Sequence, residues 1–206
     1  MDDSRTLEVH TFRCRLEPER LLYRGPGLDR RLASEWDVES GEWRTSQDGV
    51  TGTIREERAA VLWHRGSFPR DISLTFRGRA VGERGLDINC YWNGNGRIYS
   101  GPQPRCTIAV VGGWWAGKCG LEKFPEGTLT AATDFFPVER GRWHEITAGR
   151  LLDWSFLFVD GVKILELHDP DPIDPERYPR IALSTWNSSV EFADLCVHAL
   201  EAPSSA

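Results

Sequence analysis

The chain has 206 residues, 40% of them hydrophobic and 27% charged, enough for one generous core or two cramped ones. A net charge of −6 and a pI near 5.4 argue against a nucleic-acid partner, which requires a basic footprint. The same balance lends nothing to binding of an anionic membrane.

From the N-terminus, MDDSRTLEVHTFRCRLEPERLL starts acidic and never reaches an apolar run, so no secretory signal is expected. No later run is long and apolar enough to span a bilayer. The reading is a soluble, cytoplasmic chain, with residues 1–20 and 201–206 peripheral or frayed. Turn signals then follow at short intervals: GPG, SGEW, QDGVTG, NGNG, SGPQP, PEG, VDGV and DPDPIDP. Between them lie AAVLWHR, DISLTFRGRAV, LDINCYW, RCTIAVVGG, WHEITAGRL, WSFLFVDG, VKILELHD, RIALSTW and VEFADLCVHAL. Short β-rich runs between regular turns predict an all-β sandwich of two antiparallel sheets, one domain over 1–206. DISLTFRGRAV sends Ile72, Leu74 and Phe76 inward. FLFVDGVKIL predicts a hairpin with a type I′ turn at Asp160-Gly161. Helical periodicity is sustained nowhere; DPIDPERY is given one helical turn, opened by Asp174 with Pro175 at its first position.

The five cysteines, Cys14, Cys90, Cys106, Cys119 and Cys196, are odd in number and show no CxxC or Cys/His spacing. Neither a disulfide framework nor a zinc site is expected. The run HDPDPIDPE gathers aspartates that would suit calcium, but Asp-Pro alternation gives a stiff loop without EF-hand spacing. No metal and no cofactor are expected; a structural calcium elsewhere has no signature in the sequence.

The stretch LDINCYWNGNG is less ordinary. Alternation puts Leu86, Ile88 and Cys90 on one face and Asp87, Asn89, Tyr91 and Asn93 on the other. A carboxylate, an amide and a phenol on one strand face suit sugar hydroxyls, with an aromatic face to stack on. Asn93, before a glycine, reads as a turn residue. In WWAGKCGLEKFP, Lys118, Gly120 and Glu122 share a face. His64 and His144 each share a face with apolar neighbours. His144 reads as a satisfied core histidine, whereas His64, which opens the run HRG, reads as a strand end opening outward. Arg77 lies on the polar face of SLTFRGR.

The last third, GRWHEITAGRLLDWSFLFVDGVKILELHD followed by RIALSTWNSSVEFADLCVHAL, resembles the closing strands of concanavalin A-like lectin/glucanase sandwiches. Its final strand carries Val190, Phe192, Asp194, Leu195 and Val197 in the form V-x-F-x-D-L-x-V. SGEWRTSQDGVTG resembles the opening hairpin of that group. LDINCYWNG with GGWWAGKCGLEKFPEG is similar to the YesU-like branch. The resemblance covers the chain from about Trp36 onward. It implies a jelly roll whose concave sheet faces a carbohydrate, and an association with pectic, uronate-containing oligosaccharides.

On that footing the expected function is cleavage of such sugars, with a non-catalytic carbohydrate-binding module as the alternative. The expected partner is an oligosaccharide or polysaccharide, with no nucleic acid and no membrane. The E-x-D-x-x-E arrangement of retaining glycosidases of this fold is absent from the sequence. Asp87 and Glu122 are the candidate base and acid for hydrolysis. For β-elimination, His64 is the candidate base, Tyr91 the acid, and Asn89 or Arg77 the group that neutralises a uronate. Trp92, Trp115 and Trp186 are candidate stacking platforms, and Lys118 a candidate substrate contact.

Overall fold

The computed structural model describes residues 5–25, 30–45, 48–99, 104–113, 117–125 and 128–201. In chain order the strands begin with β1 (Arg5–Val9), β2 (Phe12–Leu16) and β3 (Leu21–Gly25). The helix α1 (Arg30–Glu35) leads into β4 (Trp36–Ser40), β5 (Glu42–Thr45), β6 (Gly49–Thr53), β7 (Ala59–His64) and β8 (Ile72–Ala80). Then come β9 (Ile88–Gly94), β10 (Cys106–Gly113), β11 (Lys118–Phe124) and β12 (Leu129–Thr133). The chain closes with β13 (His144–Leu151), β14 (Trp154–Val159), β15 (Val162–His168), β16 (Arg180–Trp186) and β17 (Ser189–Ala199).

Two antiparallel sheets form a jelly-roll sandwich. One has seven strands in the order β12-β11-β10-β9-β16-β7-β4, and the other has eight, seven in the order β15-β14-β13-β8-β17-β6-β5 and the eighth, β3, paired to β17. Leu62, Cys90, Trp92, Ala109, Leu121 and Leu183 from the first sheet meet Leu74, Phe76, Ile146, Phe192 and Val197 from the second in one apolar core. Burial of that shared surface is what holds two sheets face to face.

Local expectations translate directly. Asp160 and Gly161 both have positive φ, 50° and 79°, as a type I′ turn requires. His144 is fully buried, with Nδ1 2.9 Å from Asp160 Oδ2 and Nε2 accepting the Glu139 N–H at 3.3 Å. Asp174 caps the turn after it, its Oδ1 accepting the Glu176 N–H at 3.0 Å and its carbonyl the Tyr178 N–H at 3.0 Å. The SGEWRTSQDGVTG segment supplies β5 and β6, paired Thr45 to Val50.

Three features depart from expectation. Helix α1 carries no amphipathic pattern long enough to be seen in advance. Residues 5–16 are not frayed: the β1–β2 hairpin lays Leu7, Val9, Cys14 and Leu16 over Leu151, Phe156 and Phe158 on the outer side of the eight-stranded sheet. Trp92, expected to meet substrate, is instead fully buried in the central core. It sits an even number of residues from Ile88 and Cys90, so the pleat sends it inward with them. On the back of β11, buried Lys123 reaches Asp169 Oδ1 at 3.0 Å and also bonds the Asp171 carbonyl. The Asp-Pro loop is thus tied to the sandwich by an ammonium group.

The two tryptophans Trp92 and Trp186, one sealed and one 43% exposed, make a direct test. Trp92→Ala is expected to cost about 3–5 kcal/mol and Trp186→Ala no more than about 0.5 kcal/mol. Equilibrium urea unfolding of both variants checks this.

Candidate functional site

The site follows from the parity of β9. Because Ile88, Cys90 and Trp92 point into the core, Asp87, Asn89 and Tyr91 point to the outer face of the seven-stranded sheet. The register fills in their neighbours. Glu122, Ile108, Tyr91, Ala182 and Trp63 form one row across β11, β10, β9, β16 and β7. Gly120, Val110, Asn89, Ser184 and Val61 form the next row. The floor is therefore a polar line along β9, joined by Ser184, between apolar flanks.

Above this floor lies a cavity of about 320 Å³, lined by Asp87, Asn89, Tyr91, Glu122, Phe124 and Trp186 among others. A second cavity of about 350 Å³ shares Asp87, Gly113 and Trp186 with it and continues over Gly85, Gly117 and Asn187. Together they make a trough with Asp87 at the junction. Gly113 is required there by close approach: a Cβ on it would stand 1.9 Å from Asp87 Oδ1.

One wall of the first cavity is built by residues that alternation alone does not reveal. Glu39 of β4 accepts the Trp63 indole N–H at 2.7 Å, the Ile98 N–H at 2.7 Å and the Tyr99 N–H at 2.9 Å. Tyr99 in turn accepts the Ala59 N–H at its hydroxyl, 2.7 Å away. The segment after β9 is thereby clasped to β4 and β7. Charge-assisted bonds of this kind are the strong ones. A glutamate one residue from the end of an edge strand gives no signal in sequence, since its partners lie about 25 and 60 residues downstream.

The polar floor is deeply set: Asp87, Asn89 and Tyr91 are 8%, 4% and 3% exposed. The Tyr91 hydroxyl is engaged with Ser184 Oγ at 2.7 Å, and burial raises it well above the ordinary tyrosine range. Asp87 Oδ1 and Asn89 Oδ1 have no hydrogen-bond partner among the described residues. Desolvation pushes the Asp87 carboxyl up to about 7, against the opposing pull of hydrogen bonds from the Asn89 side chain and the Trp186 backbone. A buried, part-protonated carboxyl can both donate to and accept from a ligand.

The other expected site residues divide. Glu122 and Trp186 line the first cavity with Asp87, Asn89 and Tyr91. Lys118 opens β11 on the same face as Glu122, outside the residues lining either cavity. Trp115 lies outside the described residues. His64 and Arg77 stand elsewhere, which corrects their expected roles. His64 shares its face with Leu62 and points inward, among the rings of Tyr23, Trp36 and Phe68, its Nδ1 accepting the Gly66 N–H at 2.9 Å. Burial lowers its pKa, yet no substrate in the trough reaches it. Arg77 belongs to β8 of the opposite sheet, where it donates to Asp194 Oδ2 at 2.6 Å and lies 5.0 Å from the Trp143 ring centre. Trp92, as described, is core.

Hydrolysis by Asp87 and Glu122 together meets a spacing problem. They are four residues apart along the strand direction and two strands apart across the sheet. At about 3.3 Å per residue and about 4.8 Å per strand, their α-carbons are roughly 16 Å apart. Paired glycosidase carboxylates need about 5–9.5 Å, and side chains standing upright on a sheet do not close that gap.

Comparison with known proteins gives the fold and stops there. The chain is similar to carbohydrate-binding module CBM66 from Bacillus subtilis (12% identity, TM-score 0.60, covering 80% of this chain and 96% of that one). It is similar to a Bacillus subtilis protein of unknown function with a galectin-like fold (17%, 0.67, 87% and 96%). It also resembles a Bacillus licheniformis β-glucanase (9%, 0.59, 85% and 97%). No protein-family model and no curated protein sequence matches it.

The Asp87 geometry yields a pH test. A carboxyl that titrates near 7 when folded and near 3.9 when unfolded leaves the native state holding the extra proton between those values. Its contribution is therefore full below pH 4 and is lost as pH rises to about 7. Between pH 5 and pH 8 the wild type is expected to lose on the order of 2 kcal/mol of stability relative to Asp87→Asn, read by urea unfolding of both at each pH.

Proposed function

We propose that the trough binds an oligosaccharide and that the protein acts as a carbohydrate-binding module. One observation carries this reading: two buried acceptors, Asp87 Oδ1 and Asn89 Oδ1, have no hydrogen-bond partner among the described residues on the floor of a trough rimmed by the half-exposed indole of Trp186. Unsatisfied buried acceptors cost stability unless something supplies hydrogens. Sugar hydroxyls supply them, and an indole face covers the apolar side of a pyranose. The similar CBM66 fold and a similarly folded transglycosylase seen in complex with NAG lend support.

Cleavage, the other expectation, finds less support. The Asp87–Glu122 pair is too widely spaced, Tyr91 is spoken for by Ser184, and His64 and Arg77 are not at the trough. Pectic sugars as the ligand class rest on the resemblance of two segments to the YesU-like branch.

A glycan array followed by calorimetry on the best ligand tests the proposal. Trp186→Ala and Asn89→Ala are each expected to weaken binding by about 1–2 kcal/mol, roughly 5- to 30-fold. The bound oligosaccharide should be recovered intact by mass spectrometry. Shortened products would restore the hydrolase reading, and full affinity in both variants would remove the trough from consideration.

A further inference from the structure

We infer that the sugar unit held in the first cavity is an N-acetylated hexosamine, its acetamido group lying between Asn89 and Val110. The inference rests on the glycan-binding reading above. Asn89 of β9 pairs directly with Val110 of β10, and Tyr91 with Ile108. All four residues line the first cavity. A polar file along β9 therefore abuts an apolar file along β10, and the β-carbons of residues paired in this way stand about 4.5–5.5 Å apart. Beyond Val110 the row continues with Gly120, which brings no side chain.

The two members of the Asn89–Val110 pair call for different chemistry. Asn89 is buried, and its Oδ1 has no hydrogen-bond partner among the described residues. It requires an N–H or O–H donor. Val110 is also buried and offers hydrocarbon alone. A hydroxyl laid against it loses water and gains no hydrogen bond there, whereas a methyl is stabilised by burial.

A secondary amide meets both requirements with one group. In its planar trans form the N–H lies anti to the carbonyl, so an acetamido group presents its N–H and its methyl side by side along one edge. With the N–H donated to Asn89 Oδ1, the methyl lies across the strand pair, on Val110 and Ile108. A plain hydroxyl satisfies the acceptor and leaves the apolar file uncovered. The pyranose ring bearing the group sits one row away. Ser184 pairs with Asn89 in antiparallel register, so Trp186 and Asp87, each two residues further along its strand, face one another. The indole covers the ring, and Asp87 Oδ1, likewise without a partner among the described residues, accepts from a ring hydroxyl.

The test uses oligosaccharide pairs that differ only in carrying an acetamido group or a hydroxyl at C2: N-acetylated chitotriose with cellotriose, N-acetyllactosamine with lactose, and N-acetylgalactosaminides with galactosides. Titration calorimetry reads both members. The acetamido member of at least one pair is expected to bind about 10-fold or more tightly. In Val110→Thr, which exchanges one methyl for a hydroxyl, that ratio is expected to shrink about 3-fold or more. Saturation-transfer NMR on the wild type needs no variant: irradiation of protein methyls is expected to reach the acetyl methyl more strongly than any other ligand proton. Equal or tighter binding of the hydroxyl member in every pair would overturn the inference and leave the glycan-binding reading standing. A ratio unmoved in folded Val110→Thr, or an acetyl methyl among the least saturated protons, would also overturn it. A glycan array with no bound sugar of any kind would instead remove the glycan-binding reading itself.

Discussion

The structure depends on the two-residue period of β9. Ile88, Cys90 and Trp92 are nearly or wholly sealed in the sandwich, and a strand cannot bury one set of alternate residues without presenting the other. A slip of one residue would carry Trp92 into solvent and Asp87 and Asn89 into the core, each an error of several kcal/mol. The apolar core therefore sets the position of the polar floor, and does so more firmly than any contact within the trough.

On that fixed floor the protein keeps polar groups at low exposure without fully satisfying them. Tyr91 and Ser184 answer each other, but among the described residues Asp87 and Asn89 each retain an acceptor without a partner. Native proteins pair nearly all such atoms, and exceptions concentrate where something is to be held. Apolar neighbours Ile108, Val110 and Phe124 keep the local dielectric low, which raises the value of any hydrogen bond a ligand supplies. The same surroundings keep the Asp87 proton in place to higher pH.

Much of this was legible in the residues. The face carrying Asp87, Asn89 and Tyr91 came from alternation, and so did Glu122 on the facing side of β11. The Asp160-Gly161 hairpin and the inward row of β8 came from turn chemistry and period. Sheet membership was not legible: Arg77 alternates as cleanly as Asn89, but alternation does not say which of two sheets a strand joins. The turn after His64 suggests an opening, whereas the parity it shares with Leu62 sends it inward. The indole of Trp92 suggests a stacking platform, but its parity places it with Cys90 in the core. The Glu39 clasp was invisible, since its three hydrogen-bond donors come from parts of the chain that only the fold brings together.

That clasp has a further meaning for how the trough works. Lifting the Ile98–Tyr99 wall would break bonds to a carboxylate that also orients Trp63, so the wall is not a free flap. Its ordering cost is settled during folding. The shape that this wall gives the first cavity is therefore that of a rigid mould more than of a closing hand.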